Sequence, residues 1–454
     1  MELHIVILAA GQGTRMKSRR PKVLQDLAGR PLLAHVLDTA AALDPARIHV
    51  VYGHGGDQVR AAFAERPVSW VEQAEQKGTG HAVDVAMPQI PDGATVLVLY
   101  GDVPLIGAST LRELLQAAAQ GLAILTVELD DPSGYGRILR DPEGAVRGIV
   151  EQKDASAEQL AIREANTGIL AAPAAQLRGW LEGLDNDNAQ GEYYLTDCVA
   201  ASVAQGRAVA AAQAADEDEI LGVNDRLQLA GLERIYQRRQ ASALLREGLG
   251  LADPARLDIR GRLRHGRDCH IDVNVVIEGE VVLGDGVRVG PNCVLRDVVI
   301  GDDSRIEAFS HLDGATLAGD CQVGPYARLR PGTELAARAK VGNFVETKKA
   351  QVGEGSKINH LSYVGDAVLG ADVNVGAGTI TCNYDGANKH LTQIDDGAFI
   401  GSNSALVAPV HIGAQATIAA GSTVTRDAPA EALTVARSRQ KSITGWRRPT
   451  KSKG

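Results

Sequence analysis

Residues 281–312 read VVLGDGVRVGPNCVLRDVVIGDDSRIEAFSHL, and the spacing of their aliphatic side chains decides the fold of half the chain. Leu283, Val289 and Leu295 are followed by Ile300, Ile306 and Leu312, then by Leu317, Val323 and Leu329. The series resumes at Val352, Ile358, Val364, Leu369 and Val375, and again at Ile400, Leu406, Ile412, Ile418 and Val424. The interval is six with occasional fives, whereas a helix would repeat at three and four and a plain strand at two. Such a hexapeptide period, rich in glycine and small residues, describes faces that each turn a corner. Three faces close a triangular coil of about 18 residues whose aliphatic side chains stack inward. Each coil then buries its core only against its neighbours. The run from 283 to 424 makes roughly seven or eight coils after allowing for loops. The predicted fold of this half is a left-handed parallel β-helix.

The chain around this repeat has 454 residues, too many for one compact core, so two or three domains are expected. Hydrophobic residues make up 44% and charged residues 23%, the balance of a soluble globular protein. A formal charge of −9 argues against nucleic-acid binding as the main role, and leaves local sites for anionic small molecules open. Cys198, Cys269, Cys293, Cys321 and Cys382 have no paired or zinc-like spacing and read as scattered thiols of a reducing cytoplasm. MELHIVILAA at 1–10 lacks a basic leader and reads as a buried first strand, and no apolar run is long enough to span a membrane. Strand-like and helix-like segments alternate up to about residue 225, and 227–247 carries apolar residues at helical spacing, as a linking helix would. Past residue 436, Arg437, Arg439, Lys441, Arg447, Arg448, Lys451 and Lys453 make a basic tail on an acidic chain.

In the N-terminal half an apolar run, His4–Ala9, leads into Ala10-Gly11-Gln12-Gly13-Thr14-Arg15 and then the amphipathic stretch 32–43. Strand, glycine loop, basic residue and helix open an α/β sheet domain. Glycines let backbone N–H groups approach a phosphate, and Arg15 and Lys22 would add full charges. The loop is neither a dinucleotide fingerprint nor a P-loop, and by itself it is as readily a bare turn. A second apolar run, Val96–Tyr100, ends in Gly101-Asp102. A carboxylate there sits where open α/β sheets bind ligands and suits Mg²⁺ beside phosphates. A lone aspartate in a Gly-Asp turn is more often structural.

Eight stretches break that tie: LAAGQGTRMKS at 8–18, PK at 21–22, QAEQKGTGHAV at 73–83, GDVPL at 101–105, GYGRI at 134–138, IVEQKDA at 149–155, NTG at 166–168 and GVND at 222–225. In this order they resemble the sugar-1-phosphate nucleotidyltransferases, specifically the bacterial family of bifunctional N-acetylglucosamine-1-phosphate uridylyltransferase/glucosamine-1-phosphate acetyltransferases. The resemblance implies that Leu8, Gly11, Gly13 and Arg15 line the UTP site, the last three at its phosphates. It places Lys22 near the α-phosphate, and Gln73 and Gly78-Thr79 at the uracil. Gly136, Glu151 and Asn166 would hold the N-acetylglucosamine part, and Asp102 and Asn224 would ligate Mg²⁺, Asn224 also meeting substrate. The attacking group is itself a phosphate, so alignment and charge neutralisation suffice without a Ser–His pair.

In the C-terminal half the longest break in the repeat is the polar stretch 381–391, TCNYDGANKHL. Just before it stand Glu346, Lys348, His360, Tyr363 and Asn374, a surface set compatible with general-base chemistry, since imidazole titrates near neutrality. An arbitrary histidine is more often merely exposed or locally bonded. GNFVE at 342–346, TKK at 347–349, NHLSYVGDA at 359–367, NVGAGTITCNYDG at 374–386, NK at 388–389 and IGSNSALVAPV at 400–410 resemble the acetyltransferase half of the same family. That resemblance implies His360 as base, oriented or polarised by Glu346, and Arg330, Lys348, Tyr363 and Lys389 on glucosamine-1-phosphate. Asn374 and Asn383 would contact the sugar, Asn383 also near the reaction centre, while Ala377, Tyr384, Ser402, Ala420 and Arg437 would line the acetyl-CoA site. Cys382 reads as a packing residue rather than an acetylated nucleophile.

The expected architecture is α/β: a Rossmann-like nucleotidyltransferase domain over 1–226, a linker helix over 227–250 and a left-handed β-helix acetyltransferase domain over 251–454. The activity implied is acetyl transfer to glucosamine-1-phosphate, then uridylyl transfer to N-acetylglucosamine-1-phosphate. The product, UDP-N-acetylglucosamine, feeds peptidoglycan and lipopolysaccharide precursors. The resemblance further implies a cytoplasmic homotrimer that binds neither nucleic acid nor membrane. Two other readings are a monofunctional nucleotidyltransferase with a structural or regulatory β-helix, and an assembly scaffold that binds nucleotide without turnover.

Overall fold

In the computed structural model, which describes residues 2–451, the chain divides into two compact units, Met1–Tyr236 and Gln237–Gly454. Lys453 of the basic tail lies outside the described residues. The division falls inside the helix Arg226–Arg246. Its first half contributes Leu232 to a small core with Met16, Leu27, Leu32, Leu105 and Val223, and its second half contributes Leu244 to the core of the second unit. No helix of the described residues is long and apolar enough to cross a membrane.

The first unit is built on a mixed sheet. Its main path runs Ala210–Gln213, Ala123–Glu128, Glu164–Pro173, Thr95–Tyr100, Leu3–Ala9, Arg47–Tyr52, Ser69–Glu72. Neighbours are parallel except for Glu164–Pro173, which is antiparallel to both its partners. The hairpin Arg137–Arg140/Val146–Val150 hangs from that antiparallel strand. Alternate residues of the central strands feed two separate cores. Ile5, Ile7, Leu97 and Leu99 pack with Leu33 and Leu37 on one face, and Val6, Val96 and Val98 pack with Leu177, Trp180 and Val199 on the other. This two-sided burial is why the central strands read as continuous apolar runs. The strand Leu3–Ala9 has later strands on both sides, so the chain's winding reverses beside it and a crevice opens at its carboxyl end.

The second unit is the left-handed parallel β-helix. Eleven short strands, from Gly250–Leu251 to Leu433–Thr434, form one parallel stack, and fourteen more form the other sheet. Arg288, Arg305, Gln322, Lys340, Lys357 and Asn374 are successive partners, a step of 17 or 18 residues per coil. Between 283 and 424 this stack has eight strands, in line with the seven or eight coils expected. Every aliphatic residue of the six-residue series is buried, none more than 3% exposed. Cys269, Cys293 and Cys321 share that core, and burial pushes the thiols of Cys293 and Cys321 up to about 11, so they are packing residues. One corner is left-handed on coil after coil, with positive φ at Asn292, Phe309, Tyr326, Phe344, Leu361, Gly378 and Asn403.

A buried histidine pair marks the mixed sheet of the first unit. His4 and His49, on adjacent strands, are stacked with Nδ1 of His4 3.0 Å from Nε2 of His49. Burial, then the neighbouring His4, lowers His49 to about 4. A base whose folded value lies below its unfolded value of 6.5 stabilises the fold above pH 6.5, and that contribution is lost as pH falls toward 4. The first unit should therefore lose on the order of 2–3 kcal/mol over that interval, and His49→Gln should flatten the dependence. Tryptophan-fluorescence melting between pH 7 and 4 checks this, since Trp70 and Trp180 lie in this unit.

Candidate active sites

The crevice at the carboxyl end of Leu3–Ala9 is a cleft of about 280 Å³, lined among others by Leu8, Gly11, Lys22, Gln73, Gly78, Thr79 and Asp102. Parallel pairing of Leu8 with Tyr100 brings the glycine loop and Gly101-Asp102 side by side, and Gly101 N–H donates to the Leu8 carbonyl at 2.9 Å. Lys22 Nζ donates to Asp102 Oδ2 and stands 3.5 Å from Asn224 Oδ1, so two hard oxygens converge on one cation. Gly13 sits against Lys22 with φ +60°, and a Cβ there would stand 2.7 Å from Lys22 Cβ. Gln73 is 4% exposed and held by the Gly78 carbonyl at 3.1 Å and by His81. Thr79 Oγ1 accepts from Leu195 N–H at 3.2 Å. Arg15 stands exposed on the 3-10 turn Thr14–Met16, with no partner among the described residues.

Gly136, Glu151 and Asn166 are brought together by the hairpin. Asn166 N–H donates to the Gly136 carbonyl at 2.9 Å, and a Cβ on Gly136 would lie 3.5 Å from the Glu151 carboxyl. Glu151 accepts from Thr196 Oγ1 at 3.3 Å, and burial, then Asp197 and Asp154, push its carboxyl above the usual range. Tyr100 links this group to the cleft: it lines the cleft, and its ring lies against Gly168, whose Cβ would come within 2.7 Å.

In the β-helix, the corner after Lys357–His360 carries His360 Nδ1 2.7 Å from Asn343 Oδ1, one coil below. Above it the corner repeats. Gly378 N–H donates to the His360 carbonyl at 3.3 Å, Asn403 N–H to Ala377 at 2.7 Å and Gly421 N–H to Ser402 at 2.8 Å. Arg437 Nη1 donates to the Ala420 carbonyl at 2.7 Å. His360, Ala377, Ser402, Ala420 and Arg437 thus form one column along the prism. Glu346 lies on the next face, in register with Tyr363, and its carboxylate takes Arg330 at 2.8 Å and Arg328 at 3.6 Å. The structure does not bring Glu346 to His360 within the chain, and Asn374 pairs with Lys357 rather than with His360.

Lys348 pairs with Gly365 beside Tyr363, and above them lies Asn383, 6% exposed, with Nδ2 on Asp366 and 3.5 Å from Tyr363 Oη. The loop 384–391 is a built turn. Asp385 accepts from the N–H groups of Asn388 and Ala387 and from His390 at 2.7 Å, which holds its carboxyl far below the usual range. Lys389 Nζ sits 4.3 Å over the Tyr384 ring.

Sequence reasoning missed Tyr100, Gln76 and Glu192, all of which line the first cleft, and Asn343 and Asp366 in the second unit. Gln76 anchors the glycine loop through the Ala10 carbonyl at 2.5 Å. Gln76, Asn343 and Asp366 carried a legible signal, each lying inside a quoted stretch, at 73–83, 342–346 and 359–367.

Residues 5–167 match the MobA-like NTP transferase domain family, and 263–297 and 391–426 match the bacterial transferase hexapeptide family. The chain is 63% identical to "Bifunctional protein GlmU" of Alkalilimnicola ehrlichii over 98% of its length and 96% of that protein's. It is 60% identical to the protein of that name in Marinobacter nauticus over 99% of both, and 57% identical to that of Chromobacterium violaceum over 100% and 99%.

Gly13→Ala would force a Cβ against Lys22 at a backbone angle that only glycine adopts readily. The expected outcome is a loss of nucleoside triphosphate affinity of roughly tenfold or more, with the lysine displaced from Asp102. Titration calorimetry on the full chain measures it.

Proposed function

The chain belongs to the GlmU family of bifunctional proteins, and from that premise we propose how its two units divide the work. The protein is a bifunctional transferase that acetylates glucosamine-1-phosphate from acetyl-CoA and then joins the product to UTP, releasing pyrophosphate and UDP-N-acetylglucosamine. The observation that carries two activities is that each unit holds its own cation-bearing constellation, around Lys22 in one and at Arg330 and Lys389 in the other.

In the first unit the sugar phosphate oxygen attacks the α-phosphorus of UTP, the new P–O bond forms and the α–β anhydride breaks. Gly11, Gly13 and Arg15 receive the phosphates, Lys22 offsets charge at the α-phosphate, and Gln73 with Gly78 and Thr79 reads the uracil. Leu8 closes the floor. Gly136, Glu151 and Asn166 hold the N-acetylglucosamine ring, where a half-buried Glu151 can accept from sugar hydroxyls. Mg²⁺ fits this site, because Asp102 and Asn224 are hard oxygen donors already converging on a cation. When bound it neutralises phosphate charge.

In the second unit His360 takes the proton from the substrate amine as the amine's lone pair attacks the thioester carbon. The C–N bond forms and the C–S bond breaks, releasing the coenzyme thiolate. Arg330, Lys348 and Lys389 balance the sugar phosphate, with Tyr363, Asn374 and Asn383 on the sugar. Glu346 pairs with Arg330 and Arg328 rather than with His360, and so orders the cations that meet the sugar phosphate. The coenzyme lies along the corner column from Ala377 through Ser402 and Ala420 to Arg437, under Tyr384. Asp102→Ala should abolish most UTP-dependent turnover and spare acetyl transfer. His360→Ala should lower acetyl transfer by about 10²–10⁴-fold and spare uridylyl transfer from supplied N-acetylglucosamine-1-phosphate. Pyrophosphate release and thiol release, assayed separately, check both variants.

The working state is a homotrimer. The left-handed corner exposes Phe309, Tyr326, Phe344 and Leu361 at 48%, 48%, 56% and 63%. The three rings stack at 4.9 and 5.2 Å. A continuous apolar ladder beside His360 is surface that a single chain leaves wet, and a neighbouring prism would cover it and supply a second wall to a shallow site. Replacing Phe309, Tyr326 and Phe344 by Ser should lower the sedimentation-equilibrium mass from three chains to one and remove acetyl transfer together with it.

A further inference from the structure

Asp366 occupies a left-handed corner, φ 46°, and has no assigned role. Its carboxylate accepts a hydrogen bond from Asn383 Nδ2, and the same amide nitrogen faces Tyr363 Oη at 3.5 Å. Gly365 makes the approach possible, since a Cβ there would stand 2.4 Å from Tyr363 Oη and 2.9 Å from Asn383 Nδ2. Lys349 and Lys389 line the same pocket of about 380 Å³, yet Asp366 forms no ion pair among the described residues. Among the described residues its hydrogen-bond partner is the amide.

An ionised carboxylate accepts hydrogen bonds and cannot donate them, so it dictates which end of the buried amide faces it. With Nδ2 held by Asp366, Asn383 Oδ1 is turned away from it. That oxygen accepts no hydrogen bond among the described residues and is not sealed from solvent. We infer that Asp366 is a positioning residue for acetyl transfer: by holding Asn383 Nδ2 it presents Oδ1 as a fixed acceptor for an N–H of the attacking amine. The inference rests on the acetyl-transfer reading of this site. An amine directing its lone pair at the thioester carbon has N–H bonds to place elsewhere, and a preset acceptor aligns it without reorganisation. Asp366 and Asn383 gain and lose no proton in the step, which still passes from the amine to His360.

The test is a swap, measured with glucosamine-1-phosphate and acetyl-CoA by thiol release. Asp366→Asn allows the Asn383 amide to turn either way, and kcat should fall roughly 10–100-fold with KM for acetyl-CoA little changed. Combining Asp366→Asn with Asn383→Asp rebuilds the bond in reverse. One carboxylate oxygen at 383 then accepts from the amide at 366 and the other remains an outward acceptor, so most of the lost kcat should return. Full activity of Asp366→Asn overturns the proposal, and so does a double variant no more active than the single one. An Asp366→Asn protein that no longer melts cooperatively would make the bond structural and also overturn it. Wild-type enzyme without acetyl transfer would instead remove the reading on which the proposal stands.

Discussion

Among the described residues, the coils of the β-helix pair their backbone chiefly with the coils above and below. Parallel hydrogen bonds from Arg288 to Arg305 to Gln322 and onward hold each coil in register with the last, and everything else in the second unit follows from keeping that register. Inward positions are aliphatic because they stack on copies of themselves. Corners are left-handed because the chain must turn at the same place on every coil, even at Phe309, Tyr326 and Phe344. Bulky residues in that conformation carry a penalty on the order of 1–2 kcal/mol each, which ring stacking at 4.9 and 5.2 Å partly offsets. The requirement of the corner outweighs the preference of the residue.

Register also organises the chemistry. Residues separated by one coil in sequence lie one strand spacing apart, roughly 5 Å, so a corner repeated over several coils becomes a continuous track. His360, Ala377, Ser402 and Ala420 occupy such a track, and Arg437 joins it by bonding to the Ala420 carbonyl. The first unit uses a different device. Its strands end together where the winding reverses, so the loop after Ala9 and the turn after Tyr100 meet through the pairing of Leu8 with Tyr100. Lys22 reaches this point from a separate turn and closes on Asp102. In both units a scaffold of backbone pairing fixes the distance between groups that are far apart in sequence.

The β-helix was legible because inward burial leaves an aliphatic period of six from Leu283 to Val424, broken only between Leu329 and Val352 and between Val375 and Ile400. The glycine loop, Asp102 and Asn224 were legible only in combination, since each has a common structural explanation and their meeting depends on sheet order. Asn343 as the partner of His360 was hidden. It is set by a 17-residue step on one face, whereas Glu346, closer in sequence to the corner, belongs to the adjoining face. Tyr100 was hidden for the opposite reason, as an apolar residue at the end of a buried strand that also borders the cleft. The helix Arg226–Arg246 reads as a linker by its spacing, yet Leu232 and Leu244 belong to different cores, a distinction periodicity does not carry.

The stack steps 25 residues from Asn374 to Phe399 and returns to 18 at Thr417. The extra chain leaves and rejoins without shifting a single inward side chain out of line, and Ile394, Ile400 and Leu406 resume the core as though nothing intervened. In a globular core an insertion of that size must be accommodated from every direction. Here it is accommodated at one corner, and the cross-section above and below is unchanged. A prism of this kind separates the problem of staying folded from the problem of acquiring chemistry. New loops can be tried at its corners one coil at a time, and the selectivity of the enzyme can drift while its skeleton does not.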